Sequence, residues 1–556
     1  MPGTWIKLTN SPGFAASTML LLTDGSVMCQ ESGGVRWSKL TPDSSGSYIN
    51  GTWAPLAPML NTRLYYASAV LRDGRVIVCG GEYSNAGSET NKCEIYDPIA
   101  NVWTAVPPPP GWTNVGDAAA CLLPDGRLLM GYYVGTKTAI YDPVAGAWSA
   151  GPDKGDSASE ETWTLLRDGS VLTVQCSNRP FAEKYLSSSN QWVPAGKLPV
   201  DLVEAASIEI GPAVLLPDGR VFCVGATNHT AIYTPPADPH DAGTWATGPG
   251  FPNVNGQMIG AKDAPACLLP NGNVLLVGGP VDGQRDSYLA PTYFFEFDGH
   301  NLQRVSDPPN SGGKPYQGRM LVIPSARVLF AAETGDIYNY VPDNRTPRDE
   351  WRPVITSVPA FIFPGESYTL QGRQITGLSH ASVYGDDAQM PSHCPIVRLR
   401  HMNGKVYYCR TSGHSTLGVA TGAALHTTNF YVPVHVPAGG VQIEVVSNGI
   451  ASMPAAALVL TFSWPRFSDL EAWQLLLGSL ADGPLWVWGP TGPVPVDPWG
   501  PDILRQATEA RAQMLAGMQR LQELGATVTQ TQVALAANVA PAKDLDALGE
   551  GEERVT

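Results

Sequence analysis

The chain has little charge and no long apolar run. Of its 556 residues only 15% are Asp, Glu, Lys or Arg, and the basic kind is the scarcer, 35 against 50 acidic, for a net charge of −15. A surface of that sign repels phosphate backbones and anionic lipid, so nucleic acid is not an expected partner. No stretch of eighteen apolar residues occurs, and no membrane span is expected. The opening segment MPGTWIKLTNSPGF has no basic stretch followed by an apolar one. With no secretory signal visible, the expectation is a cytoplasmic protein, or one exported by a signal-independent route. Cysteines number nine, an odd count, without a CxxC or zinc spacing. Cys29, Cys79, Cys121, Cys223 and Cys267 sit inside apolar runs, where a thiol acts as a small hydrophobe; this points to a reducing compartment.

Turn residues, by contrast, are plentiful: 58 Gly and 49 Pro. Seven times in the first 330 residues an apolar run is followed by a tight turn and a second, β-branched run, as in MLLLTDGSVMC and VLLPDGRVFCV. The turns begin at Asp24, Asp73, Asp125, Asp168, Asp218, Asn271 and, degraded, Ser325. Asp-Gly between hydrophobic runs signals a two-residue hairpin loop with both central residues at positive φ. A spacing of roughly 45–55 residues is that of a four-stranded propeller blade. Four copies continue with a Tyr-x-Pro turn (Tyr96, Tyr141, Tyr233, Tyr340) and five with a tryptophan (Trp53, Trp103, Trp148, Trp192, Trp245), while the sixth has Phe297 and Gln303 at these places. Trp5 precedes the first hairpin and should supply the outer strand that zips the last blade to the first, hiding the ring's edges.

The expected fold is therefore all-β: a seven-bladed propeller over residues 1–352. Residues 353–463 carry short strands of a length and turn density that fit an Ig-like (early-set) sandwich. There the turn at Asn403-Gly404 should set Arg398 opposite Cys409 and keep Cys394 and Cys409 from pairing. Residues 464–540 read as a helical extension with a Pro/Gly/Trp-rich linker. Within it the apolar stripe of 502–525 suits docking on a partner or on the propeller flank. The acidic tail 541–556 reads as disordered.

The blade signature resembles the kelch repeat. A seven-bladed kelch propeller followed by an Ig-like domain is similar to the galactose oxidase and glyoxal oxidase superfamily. Runs such as TMLLLTDGSVMCQ and IGAKDAPACLLPNG resemble a group of bacterial kelch proteins. The resemblance covers residues 1–463. It implies a copper on the propeller axis held by two tyrosines and two histidines, one tyrosine being cross-linked to a cysteine. By position Tyr65 matches the cross-linked tyrosine and Tyr316 the axial one. Gln317 stands at one copper histidine and Ala15-Ala16-Ser17 at the cysteine. The second histidine would come from the Ig-like region, with His414 or His393 as its match, and Tyr83 would be the stacking aromatic. One imidazole is poor provision for Cu(II), so copper radical chemistry is not expected.

Position eight before each turn coincides with these ligand places and should line the channel mouth. Around the ring it reads Ala16, Tyr65, Asp117, Glu160, Ile210, Asp263 and Gln317, with Tyr66, Glu161, Glu209 and Tyr316 as neighbours and Arg63, Lys262 and Arg319 as nearby cations. Carboxylates 8 Å apart repel by roughly 2 kcal/mol at an effective dielectric near 20. Three outlets are open: ion pairs between blades, a ligand pocket, or a hard cation such as Ca²⁺ at Asp117, Glu160 and Asp263. The leading expectation is a binding protein, without cofactor, that uses this acidic, Tyr-rich pocket and a C-terminal helix for partner docking, its partner being a protein or a small molecule or glycan. His414 is included among its lining candidates. A diverged oxidase, or a copper-free enzyme working through Tyr65, Tyr316, Asp117, Glu160 and Asp263, is one alternative. A structural component that assembles or oligomerises through residues 502–525 is another.

Overall fold

A computed structural model describes residues 3–84, 89–117, 119–384, 390–461, 485–489 and 492–496. The expected helix over 502–525, the shorter one before the linker, and the acidic tail lie outside the described residues.

Seven antiparallel four-stranded units succeed one another, over 16–55, 67–106, 120–150, 164–197, 213–247, 265–304 and 319–341, the last completed by Thr4–Lys7. The first strand of each unit touches the first strands of its two neighbours, and the seventh touches the first. The units are thus blades 1 to 7 of a closed ring, with their first strands innermost. These inner strands are buried on both faces, which is why they read as unbroken apolar runs. Closure runs as the sequence implies: Trp5 pairs with Tyr340 in the outer strand of blade 7.

The tryptophans tie the ring together. In blades 2, 3, 5 and 7 the outer-strand indole lies on the blade's tyrosine, with ring centroids 4.8–5.1 Å apart. Its N–H reaches back to a backbone carbonyl of the neighbouring blade region: Trp103 to Ala57 (2.9 Å), Trp148 to Pro107 (2.9 Å), Trp245 to Ala195 (2.8 Å) and Trp5 to Ser306 (2.6 Å). One residue type thereby packs within its own blade and hydrogen-bonds to the next.

The hairpin loops differ from the two-residue expectation. Leu22 pairs with Ser26 through its N–H, and Gly25 donates to Leu22, so the loop is Thr23-Asp24-Gly25. Only its glycine has positive φ, 75° at Gly25 and 89° at Gly74. The aspartate instead accepts the N–H two residues on, as Asp73 does from Arg75 (3.0 Å), an Asx turn that makes the three-residue form stable. Likewise the turn at Asn403-Gly404 is three residues long, so Val397, not Arg398, lies opposite Cys409. All nine cysteines are buried, and none forms a disulfide among the described residues.

Beyond the ring, residues 354–459 form a second β body with a core of Ile362, Leu370, Leu399, Phe430 and Ile443. It docks on the turn ends of the blades: Thr411 N–H to Thr23 O, Gly413 to Arg72 and Leu417 to Pro124. From it the strand Ser382–Tyr384 enters the ring and pairs with the inner strand of blade 6, Tyr384 opposite Pro265. Among the described residues no helix is long and apolar enough to cross a membrane.

Candidate functional site

Each inner strand starts at the mouth opposite the docked body, so the residues just before it face the axis. Three carboxylates predicted from spacing or adjacency meet there: oxygens of Glu160, Glu209 and Asp263 all lie within 4.8 Å of one another. Their supports are local. Asp263 N–H bonds to Ile210 O (3.3 Å), which draws the mouths of blades 5 and 6 together. Ile210 itself is buried, and its neighbour Glu209 supplies the carboxylate. Glu209 closes a short hairpin with Glu204 (Glu204 N–H to Glu209 O, 2.7 Å).

Backbone strain marks the same ring. Tyr65, Glu160 and Asp263, at equivalent places in blades 2, 4 and 6, have φ of 47°, 60° and 47°. Left-handed backbone at a residue with a side chain costs about 1–3 kcal/mol and persists only where the surroundings hold it.

Tyr288, from the long loop of blade 6, donates its hydroxyl to Glu209 Oε1. Burial raises its phenol far above the ordinary range, and the charges of Asp263, Glu209 and Glu160 add to this. Glu209 Oε2 is buried with no hydrogen-bond partner among the described residues. Lys262 is the nearby cation. It reaches Ser207 Oγ (2.7 Å) and Glu204 Oε2 (3.5 Å), and stands 4.4 Å from the Tyr288 ring centroid. Burial raises the Glu204 carboxyl, but N–H bonds from Ala206 and Ser207 outweigh it and hold the group low.

Aromatics complete the mouth. Tyr316 lies edge-on to Tyr288 (5.1 Å) and to Tyr65 (6.3 Å), and Tyr65 meets Tyr83 at 6.1 Å. Arg319 sits over Tyr65 and donates to the Tyr316 carbonyl (2.7 Å). Gln317 Nε2 donates to Glu333 (3.1 Å). Beside Asp117, Glu82 is raised by burial and by the charge of Glu89, with a hydrogen bond from Asp117 opposing.

Other predicted residues are placed elsewhere. Arg63 is fully buried in an ion pair with Glu94. Glu161 turns into blade 4, bound by Lys154 (2.9 Å) and Trp163 Nε1 (2.9 Å). Tyr66 is buried, its hydroxyl on Gln30 (2.6 Å). His414 belongs to the opposite end of the ring: its neighbour Gly413 bonds Arg72 at the blade 2 turn, and its Nδ1 meets Thr428 Oγ1 at 2.9 Å. An inner strand, about 20–25 Å of chain, separates it from Tyr65. His393 is at that end too, ring to ring with His380 at 4.5 Å. Spacing missed Tyr288, Ser207, Glu204, Glu82 and Glu333, since none has a fixed offset from a turn.

Residues 63–110 match the Kelch motif, and this stretch is blade 2 with its approach to the axis. This chain is a seven-bladed propeller that carries a Kelch motif. Over 89 residues the kelch chain is 35% identical to "Kelch-like protein terF" of Aspergillus terreus (strain NIH 2624 / FGSC A1156), a match covering 15% of this chain and 18% of that protein. It therefore spans less than a fifth of that relative's length. Among solved structures, a fungal alcohol oxidase of the AA5 family in complex with copper aligns with a TM-score of 0.47 at 15% identity, over 83% of this chain and 99% of the other.

Proposed function

We propose that this kelch propeller is a binding module whose ligand presents a cationic group, or a hard metal ion, to the axial mouth. One observation carries the reading: three carboxylate oxygens converge within 4.8 Å, one of the groups, Glu209, having a buried oxygen without a hydrogen-bond partner among the described residues. At an effective dielectric near 20 each pair repels by about 3 kcal/mol. Tyr288 relieves one oxygen of Glu209, and Lys262 is turned toward Glu204 and Ser207 instead. Oxygen donors of this kind suit Ca²⁺, Mg²⁺ or Mn²⁺, or an ammonium group, and the surrounding tyrosines add flat apolar walls.

The donor set does not fit copper radical chemistry. Gln317 is bonded to Glu333, Ala16 stands where a thiol would be required, and His414 and His393 lie at the far end of the ring.

The second β body is read as an Ig-like sandwich that braces the ring from its turn face, and the stripe of 502–525 as a docking element for a partner. Calorimetric titration with Ca²⁺ and with Mn²⁺ tests the axial reading. Heat is expected for the unaltered protein and none for Asp263→Asn; heat unchanged in that variant overturns it.

A further inference from the structure

We propose that the cleft where blades 1 and 7 meet the second β body binds a small polyanion carrying phosphoryl or carboxylate groups. The site lies at the face opposite the axial mouth and does not depend on the function proposed for that mouth. Its cavity has a volume of about 320 Å³ and is lined by Arg345, Arg352, Arg398 and Arg400, with no acidic residue in its wall. In a chain with a net charge of −15 such a concentration of one sign is out of character.

Two carboxylates stand behind three of the four guanidinium groups. Glu444 accepts from Arg398 Nε (2.6 Å) and from Arg400 Nε (2.8 Å), and the exposed Asp349 accepts from Arg352 Nε (3.0 Å). Arg398 is further fixed by the Pro324 carbonyl (3.0 Å) and Arg352 by that of Ala451 (3.0 Å). The forks of Arg398, Arg400 and Arg352 are thus each held along one edge. A guanidinium has five N–H donors, so the remaining ones are oriented without being used up, the arrangement that bidentate oxyanion recognition needs.

The sequence itself removes the group that would neutralise this cleft. At the turns of blades 2, 3 and 5 an aspartate pairs with the arginine two residues on: Asp73 with Arg75, Asp125 with Arg127 and Asp218 with Arg220, each at 2.7 Å. Blade 7 keeps the arginine, Arg327, but has Ser325 in place of the aspartate, and Ala326 takes the glycine's left-handed conformation (φ 61°). As a result Ser325 Oγ and Arg327 Nε are both buried with no hydrogen-bond partner among the described residues. Burial, and then the charge of Arg345, lowers the pKa of Arg327, as expected of cations facing one another without an anion. The degraded turn therefore opens into the arginine cleft at the seam where the ring closes. The volume suits a molecule with two or three oxyanion groups.

Pyrophosphate and citrate serve as probes of the phosphoryl and carboxylate forms, followed by calorimetry and by thermal unfolding at low salt. One of them is expected to bind in the millimolar range or tighter and to raise Tm, since it clasps two blades and the second body in the folded state only. Arg345→Ala, at an exposed position, should weaken binding about tenfold. Ser325→Asp, which restores the carboxylate found in the other turns, should abolish binding while leaving the unliganded Tm equal or higher. Lys197→Ala, the same charge change on blade 4, should leave affinity within about twofold. The proposal is overturned if neither anion binds at about 10 mM, or if binding persists unchanged in both Arg345→Ala and Ser325→Asp. Loss of cation binding at the axial mouth would bear on the other site alone.

Discussion

Tyr288 donates its hydroxyl to Glu209, joining the long loop of blade 6 to the start of blade 5 across 79 residues of chain. This bond does more than fill a gap. It fixes one oxygen of Glu209, whose carboxylate lies against those of Glu160 and Asp263, so a residue with no place in the repeat decides how the repeat's acids are presented. Tyr288→Phe should keep the fold and weaken Mn²⁺ binding at the mouth by about 3–10-fold, read by calorimetry, because Glu209 then loses its orienting partner.

Buried charge inside blade 4 gives a pH signature. Lys154 bridges Glu161 (2.9 Å) and Glu183 (2.7 Å), all three shielded from water. Burial pushes Glu161 up to about 7 from 4.5, with the charge of Lys154 opposing and that of Glu183 adding. A carboxyl raised on folding binds a proton more readily when folded. Its contribution is complete below about pH 4.5 and is lost as pH rises through 7. Urea unfolding between pH 5 and 8 should show this loss, at most about 3 kcal/mol, and Glu161→Gln should flatten it.

Staples between blades are separable from packing. Trp103→Phe retains the ring against Tyr96 and loses the indole bond to Ala57, so a cost of about 1 kcal/mol is expected. Trp103→Ala should cost about 3–5 kcal/mol. Urea midpoints compare the two, and equal losses would show that the ring packing carries nothing beyond the hydrogen bond.

At the closing strand, Trp5→Ala removes the indole bond to Ser306 (2.6 Å) and contacts with Phe294 and Tyr340. Freed, the strand Tyr338–Val341 becomes an exposed edge. Light scattering on warming should rise earlier than in the unaltered protein, along with a lower Tm.

For copper, addition of Cu²⁺ and a one-electron oxidant should give no tyrosyl-radical absorption. His414→Gln should leave Mn²⁺ affinity at the mouth unchanged, because an inner strand separates the two. A radical band, or lost affinity in His414→Gln, would reverse the placement of that histidine.

Much of this was legible beforehand because repetition turns one strand pattern into seven. Blade number, closure through Trp5, and the meeting of Glu160 with Asp263 all follow from offsets to a turn. What escaped has no such offset. Ile210 occupies the ring place in blade 5, yet the backbone bond from Asp263 to its carbonyl leaves Glu209 to furnish the acid. Tyr288 comes from an aperiodic loop. Glu161 sits next to a ring residue in sequence but turns into its blade, since neighbouring side chains near a strand point to opposite sides. His414 was misplaced because a family alignment carries residue type without saying which end of the ring the second body meets. The arginine cleft is half visible in the sequence: it shows the missing Asp-Gly at Ser325, and only the fold shows the guanidinium groups that turn faces.

Pairing Trp5 with Tyr340 also imposes an order of manufacture. A ribosome adds roughly 5–20 residues per second, so the first strand made waits about 20–70 s for the last blade to emerge. By the end of that interval six blades have emerged as an open arc, each needing to hold its shape before the circle is complete.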